Sequence, residues 1–146
     1  MKCPNSDIHL FLRLEPDIPK LTHQNGIKTR VVDGHAQVYK TPALRDLEAK
    51  YMALLRPYAP AEPWDCPIRL TTTWIFRKPK GAKGTFKTTK PDITNMIKTF
   101  EDCMTRCGFW KDDAKVFSHN STKVWAEGDK PHGIDIYIED YSSFNK

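Results

Sequence analysis

The sequence predicts an α+β fold: a small mixed sheet with two helices packed on one face, in a single domain over residues 1–146. Three observations predict it. Apolar and polar residues alternate near the start, the middle and the end of the chain. Two longer segments carry apolar residues at steps of three and four, and one β-rich stretch folds about an Asp-Gly pair. Period two belongs to strands and steps of three and four to helices. Packing one helix layer on one sheet buries the apolar face of both.

Ile8, Leu10, Leu12 and Leu14 alternate with His9, Phe11 and Arg13, which predicts the first strand. Residues 15–26, with Pro16, Pro19, Asn25 and Gly26, read as a loop. Over residues 27–40, Asp33-Gly34 lies between Thr29-Arg30-Val31-Val32 and Ala36-Gln37-Val38-Tyr39, a hairpin signature. Thr41 is then the N-cap of a helix whose first residue is Pro42, where the missing N–H is no loss. Leu44, Leu47, Met52 and Leu55 form its apolar side and Pro57 closes it. After a Pro-rich connection over 58–67, Ile68, Leu70, Thr72, Trp74 and Phe76 alternate with Arg69, Thr71, Thr73 and Ile75 in a long central strand.

Residues 77–90 contain Pro79, Gly81 and Gly84 without periodicity and predict a mobile loop. The second helix is expected over about 93–107, with Ile93, Ile97, Phe100, Met104 and Cys107 as its buried stripe. Asp92 stands at its N-cap, Gly108 where it stops, and Asp102 and Arg106 are spaced to pair. Asp113 is expected to begin an irregular strand, 114–126, bulged around 118–121. Residues 128–133 turn the chain, and Ile134, Ile136 and Ile138 alternate with Asp135, Tyr137 and Glu139 in the last strand. Residues 142–146 are expected to fray.

A chain of 146 residues holds one real core. Charged residues at 28% and hydrophobic residues at 39% exclude a disordered or a membrane-spanning chain. No apolar run approaches the roughly 20 residues that cross a bilayer. Met1-Lys2-Cys3-Pro4 lacks the apolar stretch of a secretory signal, so the expected location is the cytoplasm, with no membrane partner. Net charge +5 favours a polyanionic partner. Cys3, Cys66, Cys103 and Cys107 form no CxxC pair and read as free thiols facing the core. His9, His23, His35, His119 and His132 show no ligand spacing.

The chemistry concentrates in one segment. Lys90-Pro91-Asp92-Ile93-Thr94-Asn95-Met96-Ile97-Lys98 opens the second helix, and Gly108-Phe109-Trp110-Lys111-Asp112-Asp113 follows it. The preceding loop carries six positive charges, Arg77, Lys78, Lys80, Lys83, Lys87 and Lys90, and no negative one. Carboxylates that hold a divalent metal beside a surface that holds phosphates are the parts of a nuclease. Thr94, Asn95 and Lys98 line one side of the first helical turns. Glycines let the loop follow a phosphate backbone, and Phe86 is placed to stack at an opened base step. A helix of 15 residues is about 22 Å long, and the six residues 108–113 reach back at most roughly 20 Å. Asp92 and Asp113 therefore meet within one chain only along a nearly straight return; otherwise the site draws on a second subunit.

Lys-Pro-Asp-x-x-Asn-x-x-Lys, a helix, then Gly-Phe-Trp-x-Asp-Asp-x-x-Val resembles the RusA family of Holliday junction resolvases, densely from Lys90 to Val116. The resemblance implies a RusA-like fold and a homodimeric, Mg²⁺-dependent endodeoxyribonuclease of bacteria or their phages. It implies paired nicks in four-way DNA junctions, in recombination and repair. Mn²⁺ is the alternative ion. Asp92 and Asp113 match metal-binding aspartates of the family and Lys98 its catalytic lysine. Where the family usually has a second aspartate, two residues after the first, this chain has Thr94. Asn95 is expected to orient the helix start, and Asp112, as a strand neighbour of Asp113, to face the other way. The DNA-binding set is Arg77, Lys78, Lys80, Lys83, Phe86, Lys87 and Lys90. Two other readings stand beside this one: a junction- or branch-binding protein whose chemistry is impaired by Thr94, and a basic nucleic-acid-binding domain whose acidic pair only shapes the fold.

Overall fold

The structure, a computed structural model, describes Pro4 and residues 6–144; Cys3 and the last two residues of the tail lie outside them. Its strands are β1 (Ile8–Arg13), β2 (Ile27–Val32), β3 (His35–Lys40), β4 (Ile68–Phe76), β5 (Val116–Trp125) and β6 (Gly133–Asp140). The helices are α1 (His23–Gly26), α2 (Pro42–Leu55) and α3 (Ile93–Arg106). Four strands form a mixed sheet in the order β1-β6-β4-β5, and β2 and β3 form a separate hairpin. β4 and β5 are parallel; the other two pairings of the main sheet are antiparallel. The expected α+β architecture is the one observed.

The parallel pair fixes the position of everything functional. Parallel neighbours require a crossover, and here the chain leaves β4, runs through the basic loop, returns as α3 and enters β5. β4 is flanked by β6 and β5, and its burial alternates strictly, with Ile68, Leu70, Thr72, Trp74 and Phe76 buried. Trp74 meets Phe100 of α3 edge-on at 5.3 Å, and Phe100 meets Tyr51 of α2 at 5.1 Å. These three rings join sheet and both long helices into one core. Buried Thr72 is satisfied by Ser121 at 2.7 Å and by the Trp74 indole N–H at 2.9 Å.

Both long helices start and stop as their sequences dictate. The Thr41 hydroxyl accepts from the Leu44 N–H at 3.3 Å, with Pro42 in the first turn. Gly108, at φ +86°, takes the left-handed conformation that ends α3. Beyond it, Phe109 and Trp110 are buried, and backbone bonds join Trp64 to Phe109 and Lys111. Asp102 and Arg106 pair at 3.6 Å, as their spacing predicts.

Five expectations are corrected. The loop 15–26 contains the one-turn helix α1, whose Gly26 lies so close to Leu44 that an added Cβ would sit 2.5 Å from it. The buried stripe of α3 is Met96, Thr99, Phe100, Cys103 and Met104, while Ile93, Ile97 and Cys107 are half-buried. α3 packs on α2 as well as on the sheet, with the Cys103 and Cys107 thiols aimed at α2 carbonyls, and this second contact turns the stripe. In α2 the same packing buries Glu48 and Tyr51 and leaves Met52 half-buried. The irregularity in β5 falls at Phe117, between Val116 and Ser118, ahead of 118–121. Asp113 begins a 3₁₀ turn, Asp113–Lys115, ahead of β5. Cys66, Cys103 and Cys107 are free thiols, and burial pushes Cys103 up to about 12.

Candidate active site

Asp92 occupies the N-cap position of α3 with extended backbone, yet its carboxylate accepts no capping hydrogen bond. The first turn closes through its carbonyl instead, bonded by the Met96 N–H at 3.1 Å. The side chain that would ordinarily cap the helix is left for other work. Lys123 of β5 donates to the carbonyls of Thr89 at 2.7 Å and Pro91 at 2.8 Å, tying the end of the basic loop to the start of the helix. Burial lowers the pKa of Lys123, and the charge of Asp92 works against that lowering.

Asp92, Thr94 and Asn95 line an open groove of about 680 Å³ with Phe86, Lys87 and Lys123. Asn95 donates to Gln24 of α1 at 2.8 Å, which ties the helix start to the short helix. Lys98 and Asp113 line a different cavity, of about 250 Å³, with His23, Lys40, Glu48 and Glu101. Asp92 and Asp113 are thus brought into separate cavities, and Lys98 stands with Asp113. Six residues of helix, about 9 Å of rise, separate Asp92 from Lys98. Among the described residues, no group of three or more His, Cys, Asp or Glu side chains is arranged to hold a metal ion.

The paired aspartates divide their work. Asp112 accepts from the Ala114 N–H at 2.9 Å and so caps the 3₁₀ turn. That bond, then one with Asp113, holds its carboxyl below the usual range. The same contact with Asp112 pushes Asp113 up, and burial and the charges of Asp112 and Glu101 add to it. Asp113 thus stands by two other carboxylates, Asp112 and Glu101, whose charge a cation would offset. Glu101 also faces His119 of β5, at 3.3 Å.

The basic loop is fastened at its end. Residues 85–87 lie along β5, with Lys87 N–H to Lys123 O at 3.1 Å and Trp125 N–H to Thr85 O at 2.9 Å. Phe86 is 64% exposed and rims the Asp92 groove, where an aromatic face is available for stacking. Arg77, Lys80, Lys83 and Lys90 are exposed and Lys78 half-exposed, but Lys87 is buried. Lys123, His23 and Glu101 join these cavities without having been singled out in the sequence as site residues. Lys123 has a weak signal, a cation in a strand two residues before Trp125; the other two are brought in by tertiary packing alone.

As a donor set, the arrangement fits Mg²⁺ taken up together with substrate. Mg²⁺ is held by one or two carboxylates plus phosphate and water, and Asp92 offers an uncapped carboxylate beside the Thr94 hydroxyl. Asp113 does not line this groove; it lines a different cavity, with Lys98.

The fold and the motif agree with sequence comparison. The family model of endodeoxyribonuclease RusA matches residues 17–139. The crossover junction endodeoxyribonuclease rusA of Lactococcus phage r1t is 29% identical over 124 residues, covering 83% of this chain and 89% of that protein. The family match spans β4, the basic loop, α3 and β5 whole, and with them every residue of the two acidic cavities. The chain belongs to the RusA endodeoxyribonuclease family.

Proposed function

We propose that this chain is a Mg²⁺-dependent, structure-selective endonuclease that resolves four-way DNA junctions by paired nicks, acting as a homodimer. The observation that carries the reading is the uncapped Asp92 carboxylate at the foot of α3, between the basic loop and Lys98. In this reading the scissile phosphate lies along α3. The Asp92 groove receives one side of it and the Lys98–Asp113 cavity the other.

Mg²⁺, or Mn²⁺ in its place, would be held by Asp92 and Asp113 through phosphate and water, and would supply a nucleophilic water and charge neutralisation. The chain's own groups do the rest. Lys98 presents an ammonium where charge builds on the phosphate. Asn95 fixes the helix start through Gln24. Lys123 holds the loop end against Pro91, so that Asp92 does not drift with the loop. The exposed loop cations neutralise backbone phosphates without reading bases, and Phe86 meets bases opened at the branch. Two-fold symmetry suits a junction that must be cut in two opposed strands.

The test is nicking of a labelled four-way junction with and without Mg²⁺, beside Asp113→Asn. The expected result is symmetric, metal-dependent cutting, reduced about a hundredfold or more in the variant with junction binding retained. An Asp113→Asn protein that cuts normally would remove this residue from the site. Tight, salt-sensitive binding without cutting in either ion would favour the second reading, a junction-binding protein. That reading has one observation in its favour: Thr94 gives the Asp92 groove a hydroxyl where a second carboxylate is usual.

A further inference from the structure

Beneath the basic loop lies a cavity of about 800 Å³ that the nuclease chemistry does not use. Its wall carries Lys20, Arg77, Lys78, Lys80, Lys87 and Lys90, and its floor is Phe76 and Trp125. Asp17 is the one carboxylate among the lining residues, and its Oδ1 is engaged by the backbone N–H groups of Ile18 and Arg77, both at 2.8 Å. Six cations thus face one anion that is already bonded.

Lys87 is the unusual member. It is 7% exposed, with its ammonium 4.6 Å from the Trp125 ring centre and 5.2 Å from that of Phe76. It donates to the Thr89 hydroxyl at 2.6 Å and has no ion pair among the described residues. An ammonium this buried, with no ion pair of its own, is costly unless something anionic joins it. Lys123 and Lys20 add like charge, which the more weakly felt Asp17 only partly offsets. Lys87 as a residue lines the Asp92 groove as well, so it stands between the two spaces.

We infer that the Lys87 cavity binds one DNA backbone phosphate, the neighbour of the phosphate at Asp92, and thereby sets which bond of the strand lies at the cutting site. Its ligand class is a phosphodiester monoanion. The exposed lysines of the loop hold phosphates in any register, whereas a buried cation on a rigid aromatic floor holds one at a fixed place. The inference rests on the reading of Asp92 as part of the cutting site, but its test reads binding alone.

The test is a scan of a four-way junction in which single phosphates are replaced by neutral methylphosphonates, measured as binding by wild type, Lys87→Met and Lys87→Arg. Methionine keeps the apolar stem over Trp125, and arginine keeps the charge. Lys87→Met is expected to bind about tenfold more weakly, with the salt slope reduced by about one. One methylphosphonate position should weaken wild type and Lys87→Arg about tenfold and leave Lys87→Met indifferent. A purely structural lysine would produce no such coupling. Equal affinity and equal salt slope in Lys87→Met would overturn the inference, as would methylphosphonate effects that add to the substitution at every position. A protein that shows the coupling but never cuts would overturn the nuclease reading and leave the phosphate site standing.

Discussion

Thr94 is the residue whose chemistry departs most from the pattern around it. It lies in the groove with Asp92, two positions along the first turn of α3, where a carboxylate would add a hard oxygen donor and a favourable charge at a helix N-terminus. Thr94→Asp is expected to lower the Mg²⁺ midpoint for nicking about tenfold, as a metal titration of cleavage would measure; an unchanged midpoint would mean the position is not a ligand. Lys87 gives a stability prediction with a defined sign. Burial lowers its pKa from the ordinary 10.5, with Lys123 and then Lys20 adding to the shift and Asp17 opposing it. The folded state therefore disfavours the charged form. That penalty is fully present at neutral pH and fades as pH rises toward 10.5. Lys87→Met should accordingly melt at or above wild type at neutral pH, and wild type should gain on it as pH rises, in paired thermal melts.

Glu48 shows how the elements are held to one another. It is buried on α2, bonded to Lys40 of β3 at 2.7 Å and facing Arg106 of α3 at 3.6 Å. One carboxylate thus ties the hairpin and both long helices. Glu48→Ala should cost about 2–3 kcal/mol in urea unfolding, because it leaves two cations without their buried partner. Most elements were legible in advance. β4 alternates through nine residues, the Asp33-Gly34 turn defines its hairpin, and Thr41-Pro42 and Gly108 mark helix ends by local backbone chemistry. What was not legible depends on neighbours. α1 is one turn long, too short for any periodicity, and Gly26 is set by its approach to Leu44. The stripe of α3 lies about one residue from where its own pattern puts it, because packing against α2, invisible in a single helix's pattern, turns it.

At the scale of the whole molecule, the motif residues were legible as a set but their partition was not. Spacing along the chain showed that Asp92 and Asp113 had barely enough residues between them to meet. Only the crossover from β4 through α3 to β5 shows that they line separate cavities, with Lys98 in the second. Two arrangements of the proposed homodimer follow from this. Either each chain spans its own phosphate from Asp92 to Asp113, or each centre pairs Asp92 of one subunit with Asp113 of the other. Lys98, which lines the Asp113 cavity, is about 9 Å of helix rise from Asp92; a phosphate with its water and metal shell can bridge that span, so the first arrangement is expected. Heterodimers of Asp92→Asn and Asp113→Asn subunits, co-expressed with different tags and purified through both, separate the two. With self-contained centres each subunit carries one lesion in its only site, and the heterodimer stays as inactive as either variant. With composite centres, one of the two sites unites both wild-type aspartates, and the heterodimer nicks one strand of each junction. Single-strand nicking above the background of either homodimer would therefore assign the centre to the subunit interface.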